Sequence, residues 1–187
     1  MELSIDQART LIEKHLQDPN NRIHSRESEV VLRAIAKELN EDEDLYGMAG
    51  YLHDLDWEKT AETPEKHGLI TPEILKEEGY EIPEESIHAI AAHNEQYTGV
   101  KRENNLDYAV AAGESITGLI YSYALMRPEH IEGMKPKSLN KKFKDKNFAA
   151  KVSRELIADI EKTGIEKSRF FEIAIQAMKE ISSEIGF

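Results

Sequence analysis

Four side chains that bind metals or protons, His24, His53, His93 and Glu114, fall on the apolar faces of four separate helical segments. That placement constrains the fold more than any other feature of the chain. His24 shares a face with Val31 and Ile35, and His53 with Leu45 and Ala49. His93 follows Ala89 and Ile90 by four and three residues, and Glu114 follows Val110 and Ala111 likewise, with Gly118 four residues ahead. A neutral apolar core rejects such groups, whereas a metal held between helices requires them. A lone histidine on an apolar face is most often a hydrogen-bonded core residue, so the weight lies with the ordered set.

Helical signals run the length of the chain. Ser4-Ile5-Asp6-Gln7 reads as a capping box before an apolar stripe of Ile5, Ala8, Ile12 and Leu16. Asp18-Pro19-Asn20-Asn21 reads as a turn, followed by a helix over about 23–39. The acidic run Glu41–Asp44 suits the start of a third helix that reaches His53-Asp54. Thr63-Pro64-Glu65 and Thr71-Pro72-Glu73 each read as a threonine cap before a first-turn proline, leaving two short helices or one kinked helix open. Further helices are expected from Pro83 to about His93, over 106–125, over 148–162 and over 168–181, with a basic loop before the last two. No strand alternation, repeat or low-complexity tract occurs. The expected fold class is all-α, one domain over 1–187.

Composition narrows the function. With 187 residues, 40% hydrophobic and 32% charged, the chain has the balance of a globular domain long enough to bury a core. A net charge of −12 repels polyanions, which excludes a broad duplex nucleic-acid surface and disfavours anionic membranes. There is no cysteine, so disulfides and thiolate zinc sites are excluded and a reducing cytoplasm is permitted. Met1–Asp6 lacks the basic and apolar regions of a signal peptide, and a cytoplasmic location is expected. The weakly polar stretch 108–125 carries Glu114 near its middle, which fits a buried helix better than a membrane span.

Imidazoles and carboxylates without sulfur suit iron, manganese, zinc, cobalt or nickel. No His-Glu-x-x-His pattern is present, so a zincin protease is unsupported. The order His24, His53-Asp54, His67, His93 and a final acid resembles the metal-site signature of the HD superfamily of metal-dependent phosphohydrolases. The contexts Lys66-His67-Gly68-Leu69-Ile70, Ala89-Ile90-Ala91-Ala92-His93-Asn94 and Thr117-Gly118-Leu119-Ile120 are also similar to the family's. The resemblance spans about 22–128, with 129–187 as a helical extension that would cover the pocket or form a homodimer surface. It implies an HD-type helical bundle holding two divalent transition-metal ions through His24, His53, Asp54, His67, His93 and Glu114. Asp54 would bridge the ions as the catalytic carboxylate. The implied activity is hydrolysis of a nucleotide or another small phosphate ester.

One departure stands out. The family's last ligand is usually Asp, but here it is Glu114, one methylene longer. Asp107 is the competing acid, two turns and about 10 Å away along the same face. Glu114 is preferred for its more apolar flanks. His88 lies off the His93 face and reads as structural, and His15 lies outside the motif. Arg22 and Arg26 flank His24, and Lys66 precedes His67, so these three are the candidate phosphate contacts. Lys135, Lys137, Lys141, Lys142, Lys144 and Lys146 read as a solvated loop, or else as a lid over an anion. Trp57 and Tyr97 read as core aromatics or as stacking surfaces for a nucleobase. Two other readings keep the same residues: a di-iron oxygenase, and a non-catalytic ligand-binding module.

Overall fold

Capping chemistry sets most of the helix boundaries. The computed structural model describes all residues, 1–187, and contains no strand beyond an isolated bridge between Glu2 and Glu81. Ser4 and Gln7 form the expected capping box of α1 (Ile5–His15). The Asp18–Asn21 segment is not a separate turn. Asp18 caps α2 (Pro19–Leu39) by accepting from the Asn20 N–H at 2.9 Å, and Pro19 occupies the first helical position, where it needs no N–H partner. Asn40, in the left-handed region at φ 56°, ends α2, and Asp42 caps α3 (Glu43–Leu52).

The stretch after His53 resolves into short pieces. They are α4 (Trp57–Thr60), a 3₁₀ turn at Pro64–Lys66 and α5 (Thr71–Glu77). Neither threonine caps with its side chain. Thr71 is already helical and fully buried, and its N–H donates to the carboxylate of Asp56 at 3.0 Å. Then follow α6 (Glu84–His93), α7 (Glu95–Thr98) and the central α8 (Asn105–Leu125).

The lysine-rich segment is a helix, not a loop: α9 (Pro136–Lys144) seats Leu139 in the core. The expected helix over 148–162 is shorter, with turns up to Ser153 and then α10 (Arg154–Ala158) leading into a 3₁₀ turn. Arg154 stitches those turns together by donating to the carbonyls of Ala149 and Val152 at 2.7 and 2.8 Å. The chain finishes with α11 (Lys167–Glu180). No helix is long and apolar enough to cross a membrane.

Two hydrophobic clusters share α3 and α6. The larger includes Leu32, Ile35, Ala49, Ala89, Ile116, Leu119, Phe170 and Phe171. The smaller gathers Ile12, Leu16, Leu52, Leu55, Ile74 and Ile90. The C-terminal ends of α3 and α6 carry His53 and His93, so both imidazoles emerge where the clusters meet.

Close approach between helices depends on two glycines against one leucine. A Cβ at Gly50 would come within 2.9 Å of Leu32 Cγ and the Ser28 carbonyl, and one at Gly113 would overlap the Leu32 side chain. Leu32 is fully buried and has no room to yield. Both α3 and α8 thereby close on α2 beside the positions that carry His53, Glu114 and His24. We expect Gly113→Ala to destabilise the fold by about 1–3 kcal/mol through overpacking, measured by urea denaturation. Adding Leu32→Ala should cost less than the sum of the two single changes, and strict additivity would contradict the proposed clash.

Candidate metal centre

Six donors meet at the ends and faces of these helices. His24, His53 and Glu114 form one set and Asp54, His67 and His93 another, with the donor atoms of each set within 4.8 Å of one another. Asp54 touches both. Its Oδ1 lies 3.4, 3.1 and 3.9 Å from Nε2 of His53, His67 and His93, and its Oδ2 lies 3.8 Å from Nε2 of His24. Glu114 Oε2 is 3.8 Å from the same His24 nitrogen.

The second nitrogen of each ring decides what these contacts mean. Nδ1 of His53 hydrogen bonds to the Gly50 carbonyl at 2.7 Å, that of His93 to the Ile90 carbonyl, and that of His67 to Asp56 at 2.8 Å. His24 Nδ1 lies 3.0 Å from Thr117 Oγ1, whose own proton goes to the Glu114 carbonyl at 2.7 Å, so that oxygen accepts from His24. All four rings therefore carry Nδ1–H and aim Nε2 inward, as a lone pair whenever the ring is neutral. His24 and His53 face each other Nε2 to Nε2 at 3.2 Å, and His67 and His93 at 3.1 Å. With the rings neutral and both acids ionised, these lone pairs and carboxylates repel unless a cation lies among them. No lysine or arginine pairs with Asp54 or Glu114; histidines are their only charged partners. The residues thus fit divalent metal, and this nitrogen–oxygen set suits Mn, Fe, Co, Ni or Zn.

Asp56 organises the second set, a role that the sequence did not disclose. Fully buried, it accepts from His67 Nδ1 and from the N–H groups of Gly68, Ile70 and Thr71 at 2.9–3.0 Å. It thereby orients His67 and supplies the anionic cap of α5 from outside that helix. Gly68 is required beside it, with φ at 87° and its Cβ position 2.7 Å from the Ile90 carbonyl. Thr117 is the other unforeseen partner. The only sequence hint was the short distance of each from a ligand, Asp56 two residues past Asp54 and Thr117 three past Glu114.

Protonation follows from burial and partners. Burial holds His24, His53 and His93 down at about 4, with Asp54 opposing the effect. Burial also works against a charged His67, but its hydrogen bonds to Asp54 and Asp56 win and raise it to about 9. Asp54, though buried, is kept well below the usual carboxylate range by the surrounding imidazoles, His53 first. Burial pushes Glu114 up to about 8.

A family model described as HD domain matches residues 21–125. The chain belongs to the HD domain family. No curated protein and no solved structure is significantly similar to it. The family is one of metal-dependent hydrolases, and the matched span ends with α8, which carries Glu114.

Other candidates in this HD domain are engaged elsewhere. Arg22 donates to the carbonyls of Leu16 and Glu13 at 2.6 and 3.1 Å, tying α2 to α1. Arg26 pairs with Glu29 and Glu184, fastening α2 to the C-terminal segment. Neither guanidinium pairs with a ligand residue. Lys66 is exposed next to His67. Lys142 lies over the rings of Tyr123 and Phe148, nine residues or about 13 Å along α8 from Glu114. Asp107 is buried against His88 and the N–H groups of Glu103 and Asn104, as a cap and not a ligand. His15 pairs with Glu78.

At pH 7 the metal-free cluster holds protons on His67 and Glu114, and a cation must displace both. Loading with a divalent ion is expected to release roughly two protons per chain at pH 7, measured by calorimetry in buffers of different ionisation enthalpy. Glu114→Gln should remove about one of them, and affinity should rise between pH 6 and 9 as His67 and Glu114 deprotonate. Asp56→Asn should weaken metal binding about 10–100-fold by releasing His67, read by competition with a chelator.

Proposed function

We propose that this HD domain is a metal-dependent phosphohydrolase that acts on a nucleotide or another small phosphate ester with two ions bound. The observation that carries the reading is the sharing of Asp54 between two three-donor sets. A carboxylate reaching both is what a pair of ions acting on one phosphoryl group needs. When bound, the ions supply Lewis acidity and an acidified water.

The chain's own residues supply the rest. Asp54 stays anionic and spans the sets, while the Nδ1 partners hold each ring at a fixed tilt. The cluster is open on one side, where the side chains of His24 and Glu114 are 27% and 18% exposed against 1% for His53. A phosphoryl group would approach from there. Lys66, exposed beside His67, is the remaining nearby cation for orienting it.

The test begins with metal content in protein purified without chelators. About two ions per chain are expected, with at least one lost in His53→Ala. Protein loaded with Mn, Co, Ni, Zn or Fe would then be assayed for phosphate release from nucleotides and sugar, lipid-headgroup and aryl phosphates. Asp54→Asn should lower turnover by about 10³-fold or more while leaving the circular dichroism spectrum unchanged. Silence across that panel, or oxygen uptake by the iron-loaded protein without phosphate release, would overturn the reading.

A further inference from the structure

Six large apolar side chains are exposed: Met1, Trp57, Leu69, Tyr97, Leu125 and Met126. Three of them surround the loop that carries His67. Trp57 opens α4 three residues after Asp54, and its N–H donates to the Asp54 carbonyl at 2.9 Å. Its ring meets the His67 imidazole edge to face, with centroids 5.0 Å apart, and His67 Nε2 is in turn 3.1 Å from Asp54 Oδ1. Leu69 lies two residues beyond His67. Tyr97 lies on α7, which follows His93 and packs on the 3₁₀ turn at Pro64–Lys66, where Asn94 also donates to the Pro64 carbonyl at 2.8 Å.

The exposure of Trp57 is a cost the fold has kept. The residue is 43% exposed, although its ring touches a ligand that is only 5% exposed. A tryptophan needed only for packing would gain by burying the remainder. An apolar patch rimmed by polar groups marks a binding surface. Charged recognition is sparse here, because Arg22 and Arg26 are engaged elsewhere. Beside the metal ligands and Lys66, the exposed aromatic ring that touches a ligand is that of Trp57.

Building on the phosphohydrolase reading, we propose that Trp57 is the specificity-determining contact, packing against an aromatic ring carried by the substrate. The substrate class is then a phosphate ester with a flat aromatic group, such as a nucleobase, within reach of the phosphate. Stacking on a single aromatic side chain is enough for a roughly tenfold preference.

The test is equilibrium binding, which does not depend on turnover. Manganese-loaded protein is titrated calorimetrically with adenosine monophosphate, phenyl phosphate and inorganic phosphate. Both aromatic ligands are expected to bind about tenfold or more tightly than phosphate. Trp57→Ala should abolish that advantage and leave the phosphate affinity within about twofold, while Trp57→Phe keeps most of it. Trp57 is the only tryptophan, so the wild-type protein offers a readout without mutation. Its emission should change with adenosine monophosphate at the concentrations that saturate the calorimetric signal, and not with phosphate.

The proposal is overturned if the aromatic ligands bind no better than phosphate, or if the emission does not respond. It is also overturned if Trp57→Ala weakens all three ligands alike, because the ring would then serve only to hold His67. Aromatic preference without hydrolysis would sink the phosphohydrolase reading alone. Hydrolysis without the preference would sink this one alone.

Discussion

Everything near the centre of this protein depends on four imidazoles packed with Nε2 inward around one carboxylate. Each ring spends its Nδ1 proton on a partner fixed by the backbone or by a buried side chain. Without a cation the cluster resolves its repulsion by keeping His67 charged between Asp54 and Asp56 and by keeping Glu114 neutral. Burying such groups works against folding. The architecture around them has to make up that loss, and the large cluster built by α2, α8 and α11 is where it does so.

Leu32 links that core to the site. Gly50 and Gly113 allow α3 and α8 to close on it, and the same approach brings three ligand-bearing helices together. Packing and metal binding are therefore not separable along these helices. The second donor set is built differently, with His67 on a loop while His93 ends α6. It relies on Asp56, whose two oxygens collect the N–H groups that the break between the 3₁₀ turn and α5 would otherwise leave unpaired. One set is held by close-packed helices and the other by a buried anion. A change to either support should act on its own set first.

The chemistry of the surface follows the same division. On α9, Lys142 stands over the rings of Tyr123 and Phe148, near the far end of α8 and away from the cluster. Near the loop that carries His67, the aromatic and aliphatic side chains of Trp57, Leu69 and Tyr97 are exposed. Metal ions would supply the positive charge there, leaving the side chains to discriminate by shape and stacking.

The amino-acid sequence by itself determined the helical class, the capped start at Ser4, the acidic start of α3, and the inward direction of His24, His53, His93 and Glu114. All of these are local: periodicity and capping act over one or two turns, so a short window holds the whole signal. The preference for Glu114 over Asp107 rested on its more apolar flanks, whereas the capping contacts of Asp107 appear only in the structure. The helical state of α9 was hidden because six lysines obscured the Leu139 and Phe143 pair that faces the core. Only the tertiary structure decided that Asp56 would cap α5 and orient His67, or that Arg26 would be taken by Glu184. Those contacts join residues from 11 to 158 positions apart. A hydrogen bond across a chain reversal leaves no periodic trace, because it depends on where the backbone returns and not on what flanks either partner.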